Sequence, residues 1–278
     1  MLRTMLLVTV VAAASVCPPR DAGAAELPSA IRSRGSITAA IVPNYPPLEL
    51  RDPATNVLTG FDVELGNEIA KRLGVAMRWQ ETSFEQMMSS IRTRRADIIL
   101  SGMSDTAERR GVASFVNYLR SGAQLFTQAT RAGEFGTRES ICGKSVGASR
   151  RTNFVNVLKT FNDTECLARG RPEIRIVGTE GSADARTQLR QGRIDVAMQG
   201  GETLPYLMAQ EPNTYALIGE PVEYTLMGIA TDKDATELQA AIAGVLGAIM
   251  ADGTYAALLA KWNLTSGSVT ELTINGGR

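Results

Sequence analysis

Histidine is absent from this sequence of 278 residues, and its absence excludes several kinds of active site. A Ser-His-Asp or Cys-His mechanism needs an imidazole, as does a zinc or haem site with a histidine ligand. An excess of one charge is also missing, because 29 Lys and Arg are balanced by 29 Asp and Glu. Without a basic run, the chain lacks the electrostatic footprint of a nucleic-acid-binding protein. We expect no catalytic residues, no metal, no cofactor and no nucleic-acid partner.

A long hydrophobic run is missing too, apart from a short one near the start of the chain. Residues 5–16 are mostly apolar and follow Arg3, and the small residues at 22–25 offer a cleavage site. These features predict a secretory signal peptide at residues 1–25, whose apolar part is too short to span a membrane. The alternative, a buried N-terminal helix, is opposed by the two prolines that follow. Cys17 leaves lipidation open. The predicted location is the periplasm.

Cysteine is scarce, with three in the whole chain. Two of them, Cys142 and Cys166, lie beyond the predicted signal peptide. An exported chain meets an oxidising environment, so we expect these two to form a disulfide rather than to remain as buried thiols. Closing the loop between them is expected to stabilise the fold by about 3 kcal/mol.

From residue 35 onward, short apolar runs alternate with segments of helical periodicity. Residues 36–42 and 97–100 are predicted strands, and Leu65, Ile69 and Leu73 form the apolar face of a predicted helix. This alternation is typical of an α/β fold with a mostly parallel sheet.

Two segments share one pattern, which indicates two similarly built lobes. Residues 95–102 (RADIILSG) and 193–200 (RIDVAMQG) each lead from a helix end into an apolar run and finish at glycine. Two such lobes would place a ligand in the cleft between them, although chance similarity of two helix-to-strand turns is the alternative. The polar loop at 101–106 opens a helix and is a ready anion site. The tail at 266–278 is polar and is expected to be loose.

The motifs GFDVEL at residues 60–65 and RADIILSGMSDTAERR at residues 95–110 resemble the extracellular solute-binding proteins of polar amino-acid ABC transporters, family 3. The resemblance covers nearly all of the chain after the predicted signal peptide. It implies a two-lobed α/β fold of the type II periplasmic-binding-protein class, in which each lobe is a mixed sheet flanked by helices. Lobe 1 would comprise residues 26–123 and 225–278, and lobe 2 residues 124–224. The connecting strands, near 124–129 and 224–230, would form the hinge.

The same resemblance implies a function without catalysis. The protein would capture an amino acid or a related small carboxylate by hinge closure and deliver it to the membrane permease of an ABC transporter, as a monomer. Two alternatives stay open. One is an enzyme on the same scaffold, such as a cyclohexadienyl dehydratase, which needs a positioned general acid such as Glu202 or Glu49. The other is a periplasmic accessory or sensor subunit.

The resemblance also implies the ligand-binding residues. Arg109 would bind the α-carboxylate with its two-pronged guanidinium. Gly102 would contribute its backbone N–H, and Ser101 and Ser104 their polar atoms, from the loop after the strand. Tyr45 would cover the ligand side chain. In lobe 2, the turn at Thr152 and Asn153 would bind the carboxylate from the other side.

One position departs from the family pattern. Proteins of the family commonly carry an aspartate where this chain has Gly200, and that aspartate pairs with the α-ammonium of the ligand. An enclosed ammonium without a partner charge would cost several kcal/mol. We expect Glu202 to take this role. The alternatives are that Glu202 belongs to the first turn of the next helix, or that the ligand is not a standard α-amino acid.

Overall fold

The computed structural model describes residues 26–150 and 152–277. The predicted signal peptide at residues 1–25 and the lipidation considered at Cys17 lie outside the described residues. The strands are β1 (Ser36–Ile41), β2 (Asn44–Tyr45), β3 (Glu49–Arg51), β4 (Leu58–Thr59), β5 (Ala76–Glu81), β6 (Ile98–Ile99), β7 (Ala113–Gln128), β8 (Ser145–Ser149), β9 (Arg175–Thr179), β10 (Val196–Gly200), β11 (Tyr215–Ile218) and β12 (Tyr224–Asp232). The helices are α1 (Ser29–Arg34), α2 (Phe61–Arg72), α3 (Met87–Arg92), α4 (Ala107–Arg110), α5 (Asn153–Phe161), α6 (Ser182–Arg190), α7 (Leu204–Gln210), α8 (Thr236–Ala251) and α9 (Thr254–Lys261).

The helices follow from their sequences in simple ways. In α2, Leu65 and Ile69 are buried, acidic residues occupy the first turn, and Lys71 and Arg72 occupy the last turn, where they complement the helix dipole. The buried face of α8 carries apolar residues at helical spacing: Leu238, Ile242, Val245, Leu246 and Ile249. Packing of such faces against the sheet accounts for most of the stability of these helices.

One strand connects both parts of the main sheet, which runs in the order β5-β1-β6-β12-β7-β10-β8-β9. The first half of β7 pairs antiparallel with β12, from Ala113 to Gly122. Its second half pairs antiparallel with β10 from Ala123 onward, and also with β11. On either side the outer pairs β1–β5 and β8–β9 are parallel. The expected α/β fold with mixed sheets and flanking helices is confirmed. The mostly parallel sheet predicted from the alternation of elements is wrong, because β7 and β12 pair antiparallel with their neighbours.

The apolar core is divided in the same way. One set of clusters draws its buried residues from 27–119 and 227–264, and the other set draws them from 123–218. We call these parts lobe 1 and lobe 2. The chain therefore enters lobe 2 through β7 and returns to lobe 1 through β12, so α8 and α9 pack in lobe 1. The boundaries expected from the sequence fall inside β7 and at the start of β12.

The disulfide predicted from the sequence is present in lobe 2. Cys142 and Cys166 are bonded, with their Cα atoms 5.6 Å apart. Cys166 is fully buried and belongs to the core of lobe 2.

The C-terminal tail differs from its expectation. The sequence predicts a loose segment because it is polar, but the structure pairs it with β7. The Asn117 N–H donates to the Thr273 carbonyl at 2.9 Å, and the Asn275 N–H donates to the Phe115 carbonyl at 2.9 Å. A polar segment is ordered here because its backbone and amide groups find partners on lobe 1.

No single helix in the described ranges is long and apolar enough to cross a membrane. The pair α8 and α9 meets that test only when the two are taken together, and they are bent by 78°.

Candidate functional site

A cavity of about 150 Å³ lies between the two lobes. Seven of the eight ligand-binding residues predicted from the sequence line it: Tyr45, Ser101, Gly102, Ser104, Arg109, Thr152 and Asn153. Glu202 is not among the lining residues, whereas Glu49 is. The structure thus brings the predicted residues of both lobes together, and their binding roles remain predictions.

The loop after β6 forms the lobe 1 wall. Gly102 adopts a φ of 52°, in the left-handed region that favours glycine, and a Cβ atom there would lie 3.2 Å from the Tyr45 ring. Its N–H donates to Asp62 Oδ2 at 2.8 Å, so the amide expected to reach the ligand bonds within the protein. Ser101 Oγ donates to Glu49 Oε1 at 2.8 Å and accepts from the Val42 N–H.

Arg109 is positioned by this loop and by α4. Thr106 caps the helix by accepting from the Arg109 N–H, and Arg109 Nη1 donates to the Ser104 carbonyl at 2.8 Å. The guanidinium also lies over the Phe84 ring, 5.5 Å from its centroid. Burial lowers the pKa of Arg109 from its ordinary value, and the same removal from water strengthens an ion pair with an anion in the cavity.

Two buried acids, Glu49 of β3 and Asp62 of α2, lie beneath the cavity. Asp62 Oδ2 accepts from the Gly102 N–H and from the Tyr118 hydroxyl at 2.9 Å. The other oxygens, Glu49 Oε2 and Asp62 Oδ1, are buried without a donor. A side-chain hydrogen bond joins Glu49 and Asp62, and two carboxyl groups form such a bond only when one of them holds a proton. We call these residues the acid pair.

The pKa values agree with a shared proton. Burial, and then repulsion by Asp62, raise the pKa of Glu49 well above its usual range. Burial raises the pKa of Asp62 to about 7. Because both pKa values are raised, the acid pair does not carry two full negative charges near neutral pH.

From the sequence, Glu49 was a candidate only for the general acid of the enzyme alternative, and Asp62 had no expected role at the ligand site. A signal for Asp62 was nonetheless present, since an acid at this position shares a helix face with Leu65 and Ile69, which are both buried. An acidic residue on the apolar face of a helix needs a buried partner. For Glu49 the sequence offered no comparable signal, because β3 is three residues long.

Lobe 2 closes the cavity with the start of α5. Thr152 precedes the helix and donates its hydroxyl to the Ser149 carbonyl at 2.6 Å. Asn153 Oδ1 accepts from Ser104 Oγ at 3.2 Å, which is a direct contact between the lobes. The positive end of the α5 dipole thus faces the same cavity as Arg109.

Glu202 lies behind Tyr45. Its Oε1 accepts from the Tyr45 hydroxyl at 3.0 Å, and its Oε2 accepts from Ser121 Oγ at 2.6 Å. The Tyr45 hydroxyl also accepts from the Gly200 N–H at 3.1 Å. A Cβ atom on Gly200 would lie 2.0 Å from Glu202 Oε1 and 2.3 Å from the Tyr45 hydroxyl. These two groups therefore fill the space that a side chain at position 200 would need.

Comparisons with known proteins agree with this geometry. The family model of the bacterial extracellular solute-binding proteins, family 3, matches residues 37–265. The chain is 27% identical over 251 residues to the arginine-binding protein ArgT of Corynebacterium glutamicum, covering 90% of this chain and 82% of that protein. It is 27% identical over 259 residues to the L-cystine-binding protein TcyJ of Escherichia coli, covering 93% and 92%. A solved structure of an ArgBP mutant from T. maritima matches with a TM-score of 0.74 at 29% identity, covering 84% and 97%.

The raised pKa of Asp62 makes a prediction for Asp62→Asn. Because this pKa is raised to about 7, the folded protein binds a proton at Asp62 more tightly than the unfolded chain does. The stabilisation is fully present below about pH 4 and is lost as the pH rises through about 7. Asparagine cannot titrate, so between these pH values the stability of Asp62→Asn should rise relative to wild type by on the order of 4 kcal/mol.

Urea unfolding of both proteins across this pH range measures the difference. Asp234→Asn, at an exposed acid, serves as the control. If the unfolding free energies of wild type and Asp62→Asn stay parallel with pH, the raised pKa of Asp62 is contradicted.

Proposed function

The chain belongs to the bacterial extracellular solute-binding proteins, family 3, and we propose that it is the periplasmic binding component of an ABC importer for an amino acid. In this proposal the protein captures its ligand by closure of the two lobes and delivers it to the membrane permease, with no bond made or broken. Export to the periplasm would depend on the signal peptide predicted at residues 1–25.

One observation carries the proposal: the same small cavity is lined by the part-buried guanidinium of Arg109 and by Glu49 of the acid pair. An amino acid offers a carboxylate to the first and a cationic group to the second. A guanidinium binds a carboxylate through two parallel hydrogen bonds, which fixes the orientation of the ligand. The charge remaining on the acid pair attracts the cationic group.

The named relatives support an amino acid as ligand. ArgT and TcyJ are named for arginine and cystine, each of which has an α-carboxylate and an α-ammonium. Which amino acid this chain prefers depends on the rest of the cavity lining, where Phe84, Asn44 and Glu180 differ in size and charge.

Closure is supported by contacts that already cross the cleft. Tyr45 of lobe 1 meets Gly200 and Glu202 of lobe 2, and Ser104 meets Asn153. The covalent links between the lobes run through β7 and β12, which act as the hinge in this proposal. Ligand contacts to both walls would then favour the closed state over the open one.

A same-fold enzyme is the second candidate, and one observation favours it. Burial raises the pKa of Glu49, which lines the cavity, and a raised pKa suits a general acid. Formation of phenylpyruvate from prephenate by the purified protein would support a dehydratase. We favour binding because the named relatives are binding proteins. A periplasmic accessory or sensor subunit would also bind a ligand and stays the alternative to a transport role.

The role of Arg109 gives a first prediction. Arg109→Ala removes the guanidinium and should lower affinity for the preferred amino acid at least about a hundredfold, on the order of 3 kcal/mol. The preferred amino acid is found by a thermal-shift screen of wild type, and titration calorimetry then measures both proteins. Arg92→Ala, at an exposed arginine of α3, is the matched control. Equal affinity in Arg109→Ala and wild type would contradict the carboxylate role.

Glu202 gives a second prediction, because its place behind Tyr45 favours an indirect role. Glu202→Gln keeps an acceptor for the Tyr45 hydroxyl and removes only the charge. We expect amino-acid affinity to fall less than about tenfold by calorimetry. A loss of a hundredfold or more, about 3 kcal/mol, would instead mean that Glu202 pairs with the ligand ammonium, as removal of one partner of a buried ion pair does.

A further inference from the structure

The last residues of the described chain form hydrogen bonds with a buried acid, Asp105, at the end of the loop at residues 101–105. Asp105 is fully buried, and its Oδ1 accepts from Arg110 Nε at 2.7 Å. Its Oδ2 accepts from Asn117 Nδ2 at 3.1 Å and from the Gly277 N–H at 2.8 Å. The guanidinium of Arg110 also donates to the Gly277 carbonyl. One residue of the tail thus contacts both members of this ion pair.

The tail is held along its length as well as at its end. Ile274 forms a β-bridge with Val116. The Gly276 N–H donates to Asn117 Oδ1 at 2.9 Å, and Asn275 Oδ1 accepts from the Phe115 N–H at 2.9 Å. We call residues 273–277 the tail strap.

The sequence of the tail strap is suited to this close approach. Asn275 adopts a φ of 57°, in the left-handed region that asparagine tolerates better than most residues. A Cβ atom on Gly277 would lie 2.1 Å from the Asp105 carbonyl oxygen, and one on Gly276 would lie 2.6 Å from Thr273 Oγ1. Both contacts are shorter than van der Waals distance, so both positions need glycine.

Asp105 connects the tail strap to the ligand site. It directly follows Ser104, whose carbonyl accepts from Arg109 Nη1 and whose hydroxyl crosses the cleft to Asn153. A buried carboxylate that loses a donor pays a desolvation penalty, so it moves toward water or a new partner. Movement of Asp105 would displace Ser104, and with it the guanidinium of Arg109.

We propose that the tail strap is a positioning element of the ligand site, which holds Asp105 and thereby sets Ser104 and Arg109 in the geometry that binds the ligand. This proposal rests on the proposed function for its ligand. The residues of the tail strap are positioning residues, because they act through Asp105 and do not line the cavity.

The test compares two glycine substitutions. Gly277→Ala places a methyl group against Asp105, while Gly133→Ala places one in open space. Calorimetry with the amino acid that binds wild type should show an affinity loss of at least about tenfold for Gly277→Ala and less than twofold for Gly133→Ala. The titration is carried out far below the unfolding temperature of each protein, so that a loss of stability alone does not change the affinity.

A second variant, truncated after Leu272, tests whether a peptide with the sequence of the tail restores ligand binding. It should bind the amino acid at least tenfold more weakly than wild type, and a synthetic peptide of residues 271–278 added in excess should restore most of that loss. The proposal is overturned if Gly277→Ala and the truncated variant both fold and bind within twofold of wild type. It is also overturned if the peptide does not reverse the loss of affinity in the truncated variant.

Hydrogen exchange separates this proposal from the proposed function. If the tail strap holds the loop, the backbone amides of residues 101–110 should exchange faster in Gly277→Ala than in Gly133→Ala, both without ligand. Unchanged exchange would overturn the proposal even if the protein binds an amino acid. Absence of amino-acid binding to wild type would instead refute the proposed function, and the exchange result would still decide the role of the tail strap.

Discussion

A loop that is largely buried has to satisfy its polar groups within the protein, and in this structure three carboxylates, one of them the loop's own, hold residues 101–105 in place. Glu49 accepts from the Ser101 hydroxyl, Asp62 accepts from the Gly102 amide, and Asp105 fixes the far end of the loop. Backbone and hydroxyl groups removed from water need such partners, and carboxylates make the stronger hydrogen bonds. The loop therefore has one well-defined geometry, and Arg109 depends on that geometry through the Ser104 carbonyl.

The same constraint shapes the electrostatics of the cleft. Burying two charged acids side by side is costly, so the acid pair carries less than two full negative charges. That charge lies beneath a cavity which also contains a guanidinium, and the chain as a whole carries no net charge. In the proposed function, specificity for the ligand therefore rests on a few local charges. Tyr45 and Glu202 occupy the space beside Gly200, which explains why this position is glycine.

Much of the fold could be predicted from the sequence, because its helices and strands have clear periodicity. The helix at Phe61–Arg72 carries the predicted apolar residues Leu65 and Ile69, and the strand predicted at 36–42 is observed at Ser36–Ile41. The long strand β7 was largely missed, since it is buried along nearly its whole length and therefore shows no alternation. The order of the tail also escaped prediction, because it depends on Asp105 and Asn117, which are distant in sequence. Likewise, the resemblance indicated a missing aspartate at Gly200, but only the structure places Glu202 behind Tyr45.

The most direct test of the central claim is a calorimetric titration of the wild-type protein with the twenty standard amino acids and cystine, each paired with its carboxamide. At least one amino acid should bind saturably, with one molecule per chain, and its carboxamide should bind at least a hundredfold more weakly because Arg109 loses its anionic partner. Binding of none of these amino acids, or equal binding of an amino acid and its carboxamide, would contradict a cleft built around carboxylate recognition.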